Sequence, residues 1–273
     1  MTSVVTSPTA SIIRVLIGVM LSERRRLIFA LTIAAATIAA LTAWLYSSLG
    51  VNYDELLADM PEAMVSMLGD ADLGTPAGWL QVELFSFVGP GLAIGAGVSV
   101  AAGALAGAEE RGQLTLITTG PTRRSVVARA ALAAMLIAVA TVTAGLFVGI
   151  MVGSNLGSLD ISSSNVAAAC LSLALLGGAV GAITLAAGAF TGDRGTAAGI
   201  GTASAVVSYA VDAFFPLSES LAPFAKFTLW YPFAANEPLI NGLSIWHLLT
   251  FGLVISSSLL AALVGFERRD LGP

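Results

Sequence analysis

The chain has 273 residues, of which 56% are hydrophobic and 11% charged, with a net charge of −5 and a mean hydropathy of +0.89. A folded body of that size has too much surface to hide so many apolar side chains from water, which excludes an ordinary soluble globule and makes lipid the solvent. One cysteine, Cys170, excludes an internal disulfide framework and a cysteine metal cluster, and reads as a small core residue. One histidine, His247, excludes an HExxH zinc motif and leaves at most one base for a Ser-His-Asp triad; beside Trp246 it reads as interfacial.

The first element in chain order is amphipathic. Ile12, Ile13, Leu16, Ile17 and Met20 recur near helical spacing and end in Arg24, Arg25 and Arg26, which predicts an interfacial helix over residues 10–26 along the inner leaflet. The alternative is that this helix continues into the first span. Apolar runs of about 20 residues, the length that crosses a bilayer core of roughly 30 Å, then predict six transmembrane helices. They cover 27–49, 84–106, 126–152, 165–190, 196–215 and 246–266. The first is too long for a removable signal peptide and lacks a small-residue cleavage pattern.

Basic residues orient the spans, because Lys and Arg near helix ends stay cytoplasmic whereas Asp and Glu contribute little. With the N terminus inside, 11 of the 12 basic residues are cytoplasmic and only Lys226 is outside. The loop carrying Asp54, Glu55, Asp59, Glu62, Asp70, Asp72 and Glu83, with no basic residue, then falls outside. Both termini are expected in the cytoplasm.

Glycines four apart recur at Gly91/Gly95, Gly103/Gly107, Gly145/Gly149/Gly153, Gly177/Gly181 and Gly195/Gly199. That spacing lets helix backbones approach closely where lipid supplies no hydrophobic drive, and it predicts a tight bundle. After the fifth span, Pro216, Pro223, Pro232 and Pro238 among aromatics exclude one continuous helix. Two readings stand: re-entrant outer helices anchored by Trp230, Tyr231 and Trp246, or an outer loop with interfacial aromatics.

Several chemistries are missing. The only lysine is Lys226 and no GxxxxGK[ST] loop exists, so this chain does not bind ATP in that way. Asp212 is nearly alone as an ionisable residue within a span, which argues against a proton relay and leaves ion binding by one carboxylate in a dimer as the alternative. Spans two to four offer mostly Ser, Thr, Gly and Ala, suited either to packing or to lining a path for a large, weakly polar molecule.

Charge concentrates in GAEERGQLTLITTGPTRRS, residues 107–125, between spans two and three. Leu114, Leu116 and Ile117 give a short helix one apolar face, and carboxylates at its end can pair with arginines of a soluble partner. An interfacial anchor with positive-inside charge is the plainer reading. The order of Glu109, Glu110, Arg111, Gly112, Leu114, Leu116, Pro121, Arg123 and Arg124 resembles the cytoplasmic loop of ABC-2 type transporter permeases. The C-terminal WYPFAANEPLINGLSIWHLL and FERRDL are similar to the end of that family, and the six-span layout covers nearly the whole chain. Gln113 and Thr115 stand where Thr and Glu are often found in the family.

The resemblance implies an all-α polytopic membrane protein, a single permease domain over residues 1–273 in the bacterial plasma membrane. It implies a dimer with a second permease subunit, identical or related, and two ABC ATPase subunits on separate chains that hold ATP and Mg. It assigns Glu109, Glu110, Gly112, Leu114, Leu116, Pro121 and Arg123 to ATPase coupling through a cytoplasmic coupling helix, with the N-terminal helix as a second contact. Outer re-entrant helices would cap the pathway. No catalytic residue, metal, cofactor or nucleic acid is expected on this chain, and no substrate residue is assigned. Family members export drugs, antibiotics, lipids, polysaccharides or sodium; the small, weakly polar spans favour a hydrophobic or amphipathic compound. A membrane scaffold or ion-conducting oligomer is the alternative, and an intramembrane enzyme a third.

Overall fold

The computed structural model describes residues 8–49, 74–112 and 123–268. Every regular element among them is helical, and six helices are long and apolar enough to cross a bilayer: Ala10–Ser48, Pro76–Ala104, Arg124–Leu156, Ser163–Thr191, Arg194–Leu217 and Ile245–Arg268. Each contains or overlaps one of the six spans expected from hydropathy.

Helix α1, Pro8–Leu49, is uninterrupted over 42 residues, about 63 Å at 1.5 Å per residue and twice a bilayer core. The separate interfacial helix expected over 10–26 is therefore corrected: it is the first part of α1. The physical reason is local, because Ser22, Glu23 and the three arginines interrupt hydropathy but include no Gly or Pro to break the backbone. Leu16, Met20 and Leu21, from the amphipathic stretch, pack half-buried against the bundle.

The second crossing starts at Pro76, earlier than expected. Thr75 caps α2, Pro76–Leu80, by accepting from the Gly78 amide at 3.1 Å, and proline takes the first helical position, where a missing N–H costs nothing. The chain continues through a wider π-type stretch, Gln81–Val88, into α3, Gly89–Ala104. Trp79 Nε1 donates to the Thr42 carbonyl at 3.1 Å and Tyr46 donates to the Gly74 carbonyl at 2.5 Å, tying this entry to the end of α1.

A short α4, Ala106–Glu110, follows, then α5, Arg124–Leu156, α6, Ser163–Thr191, and α7, Arg194–Phe214. Helix α6 is the axis of the bundle: 72% of its most apolar stretch is buried, against 17% for the fifth and sixth crossings. The turn into α7 is tight. Gly192 adopts φ +67° and donates to the Gly188 carbonyl at 2.9 Å, and the Asp193 carboxylate caps α7 through the Thr196 amide at 2.5 Å. Only glycine takes that left-handed turn without steric cost.

Glycine spacing has a direct structural consequence. Gly145, Gly149 and Gly153 of α5 lie against Thr32, Ala36 and Ala40 of α1, so close that a Cβ at Gly149 would sit 2.9 Å from the Ala36 Cα. The residue numbers rise together, so the two helices run parallel, as first and third spans must. Gly177 of α6 packs on α3, where its Cβ would lie 2.8 Å from the Ala93 carbonyl oxygen. Gly91, Gly95 and Gly199 have nothing within 4 Å of a Cβ position; the same spacing there serves no packing within the chain.

Between α7 and the last helix the backbone is broken, as the prolines require. A short 3₁₀ turn at Phe215–Leu217, α8 at Ala222–Ala225, α9 at Tyr231–Ala234 and a π-type turn at Glu237–Asn241 lead to α10, Ile245–Arg268. The segment is no free loop, since Trp230, Phe233 and Leu239 are buried. Asn165 at the start of α6 donates to the Leu239 and Ile240 carbonyls at 3.0 and 2.9 Å. Cys170 is buried on α6, and His247 stacks edge-on against Tyr231 with ring centroids 6.1 Å apart.

Candidate functional site

Helices α3 and α7 both lean on α6 without closing on each other along their length. Between them runs an apolar groove of about 560 Å³, floored by Gly91, Gly95 and Val98 of α3 and walled by Ala198, Thr202 and Ala205 of α7. Small side chains at these positions leave the space empty, and the volume falls within the range of small-molecule sites. One end is aromatic. Phe87 and Tyr209 meet edge-on at 5.2 Å, and Tyr209 and Trp230 at 5.0 Å. Ser208, buried on α7, accepts from the Trp230 amide at 3.0 Å and fixes the Pro-rich segment to the groove's end.

The same three aromatics border a second cavity of about 520 Å³ that carries Gln81, Glu83 and Ser86. They form a wall between an apolar space and a more polar one. Asp212, half-buried near this end, accepts from Thr228 at 3.5 Å.

Charge gathers at the groove's other end. Arg194, at the first position of α7, lines both the groove and a further cavity of about 360 Å³ shared with Glu23, Arg24 and Arg111. Arg111 donates to Glu23 at 2.8 Å, and the Glu110 carboxylate accepts from the Arg194 amide at 2.7 Å. The Arg24 guanidinium lies against α3, where a Cβ at Gly103 would come within 2.7 Å of its Nη2. Asp193, outside the membrane-crossing helices, has its carboxyl held below the usual carboxylate range by the hydrogen bonds from Thr196, against an opposing effect of burial and with a smaller lowering from Glu110.

Of the residues that the resemblance assigns to coupling, Glu109 and Glu110 end α4, and Gly112 follows with φ +69°, its amide donating to the Glu109 carbonyl at 2.7 Å. Arg123 is the extended residue before α5. Leu114, Leu116 and Pro121, with the expected coupling helix, lie outside the described residues. The structure thus brings Glu110 together with Arg194 and with the Arg111–Glu23 pair, a juxtaposition of three chain segments that no local pattern announces. Nearby, Arg124 donates to the Phe266 carbonyl at 2.7 Å and lies 5.6 Å from the centre of its ring, closing the end of α10. Among the described residues no three metal-ligating side chains converge.

Sequence reasoning missed the groove and the arginines at its end. The only available signal was the pairing of small residues on α3 with small residues on α7, and Gly91/Gly95 looks in sequence like any packing glycine pair.

The fold and the two contrasting ends of the bundle define a multi-pass α-helical membrane protein. No model of a known protein family matches the chain, and no curated protein matches it either.

Proposed function

We propose that the chain is the membrane-spanning permease subunit of an ATP-driven exporter. In this reading it pairs with a second permease subunit, identical or related, and is driven by two ATPase subunits on separate chains that bind ATP and Mg. The observation that carries it is the continuity between charge cluster and groove: Arg194 lines the groove, and its amide is held by Glu110, which belongs to the segment resembling the ABC-2 coupling loop. A push on α4 from a soluble motor is passed to the start of α7 through that bond, and α7 is one wall of the groove. Proteins use such rigid elements with polar hinges to couple sites.

The cargo is a hydrophobic or amphipathic compound, because the groove is walled by carbon and small side chains. It enters between α3 and α7 and leaves past Phe87, Tyr209 and Trp230, the wall that has to open. The Pro-broken segment 215–244 serves as the outer cap. Both termini lie on the motor side, in keeping with the arginines gathered there.

Replacing Glu109 and Glu110 together by Ala tests the coupling role. Stimulation of the co-purified ATPase by the permease should fall about tenfold or more, while membrane insertion and helix content stay unchanged. Unaltered stimulation in that double variant removes the docking role. A permease that purifies with no ATPase and changes the activity of none favours the scaffold or ion-conducting oligomer.

A further inference from the structure

The groove is apolar along its length and cationic at one end only. Arg194 lines this end and shares the adjoining cavity with Arg24, Arg111 and Glu23; Arg111 is paired with Glu23, whose charge also acts on Arg24, while the side chains of Arg24 and Arg194 make no hydrogen bond or ion pair among the described residues. Arg24 is half-buried against Gly103. Arg194 is exposed and Arg24 half-buried, so the two guanidinium groups keep donors open to an anion that reaches this end of the groove. Guanidinium groups also match carboxylate and phosphate oxygens in fork geometry.

From this arrangement we infer that the groove takes an amphiphile with one anionic head, its chain between α3 and α7 and its carboxylate or phosphate on Arg24 and Arg194. This rests on the reading of the groove as the substrate path and names the class of cargo. Trp230 at the far end would lie against the tail. A neutral apolar compound would fill the groove but leave both arginines unmet. A polymeric sugar would leave the apolar walls unmatched.

Position and charge together supply the test. The full-length protein in phosphatidylcholine nanodiscs is titrated at alkaline pH with a nitroxide-labelled stearic acid and, separately, with its methyl ester. Quenching of Trp230 is taken as the difference between the protein and its Trp230→Phe variant. The acid should half-saturate at about tenfold lower concentration than the ester, the scale of one charge-assisted hydrogen-bonded contact. Arg24→Gln and Arg194→Gln should each reduce the preference, and the double variant should bring it to within about twofold. Arg24→Lys, which keeps charge without the fork, should retain part of it and guards against a folding artefact.

Adding phosphatidylglycerol to the nanodisc separates two sources of the head group. A rise in half-saturation in the parent but not in the double variant identifies a membrane lipid as occupant; an unchanged value identifies a free amphiphile. Equal quenching by acid and ester, or a preference that survives both Gln substitutions, overturns the anion site and leaves the substrate-path reading standing. Absence of any Trp230-dependent quenching overturns both. The coupling role of Glu109 and Glu110 is judged by ATPase stimulation and does not depend on this result.

Discussion

Substituting Gly149 by Val places two opposing effects on one position. Valine is the better helix former by about 0.4 kcal/mol on intrinsic propensity, so the helix α5 by itself would gain. The seam with α1 would lose. A Cβ at Gly149 would stand 2.9 Å from both the Ala36 Cα and carbonyl carbon, whereas carbon atoms rest at about 3.5–4.0 Å. The helices must therefore part by about 1 Å. Because Gly145 and Gly153 sit in the same row, with Cβ positions 2.8 Å from the Thr32 oxygen and the Ala43 Cβ respectively, the parting loosens the whole seam. Overpacking of this kind costs about 1–3 kcal/mol, which outweighs the propensity gain. Thermal unfolding of the detergent-solubilised protein should show a midpoint lower by about 3–10 °C. Gly199→Val is the matched control, since nothing lies within 4 Å of that position, and its midpoint should stay level or rise slightly. A G149V protein that melts at or above the parent, or together with G199V, refutes the close-packed seam.

The Arg111–Glu23 pair is partly exposed, with side chains 38% and 33% accessible; a double-mutant cycle with Gln at both positions should give a coupling below about 1 kcal/mol that shrinks in high salt. A coupling of several kcal/mol would contradict a partly exposed pair. Asp193 has a folded pKa below its unfolded one, so its contribution is fully present above the unfolded value of about 3.9 and is lost as pH falls through the lower folded value. Stability measured from neutral pH downward should have a component lost only in that acid window and missing in Asp193→Asn, which keeps the cap without titrating. Arg124→Gln should speed amide exchange over the last turn of α10, because the Phe266 carbonyl loses a cationic donor; unchanged exchange there would remove that role.

The six crossings were legible because lipid demands about 20 apolar residues in a row, and hydropathy measures that demand directly. Boundaries were not. Gln81 and Glu83 hide the true start of the second crossing from a hydropathy reading, although the Thr75-Pro76 cap is written in the sequence. At α1 the reverse holds, since a run of polar residues ends an apolar stretch without ending a helix. The glycines at 145–153 seat α5 on α1 as their spacing predicts, yet Gly91 and Gly95 have the same spacing and face an open groove. Spacing states that a backbone can be approached, and only the partner helix decides whether it is. The charge cluster was illegible for a related reason: Glu23 and Arg111 are 88 positions apart, and their meeting depends on how α1 and α3 lie against each other.

Dependence on a separate motor is the central claim, and inside-out vesicles test it directly. Vesicles holding this chain with the ATPase proposed to drive it, this chain alone, or that ATPase alone are given a fluorescent fatty acid with and without ATP. Accumulation should occur only where both proteins and ATP are present. Movement of the probe by this chain alone, at a rate indifferent to ATP, would contradict the account.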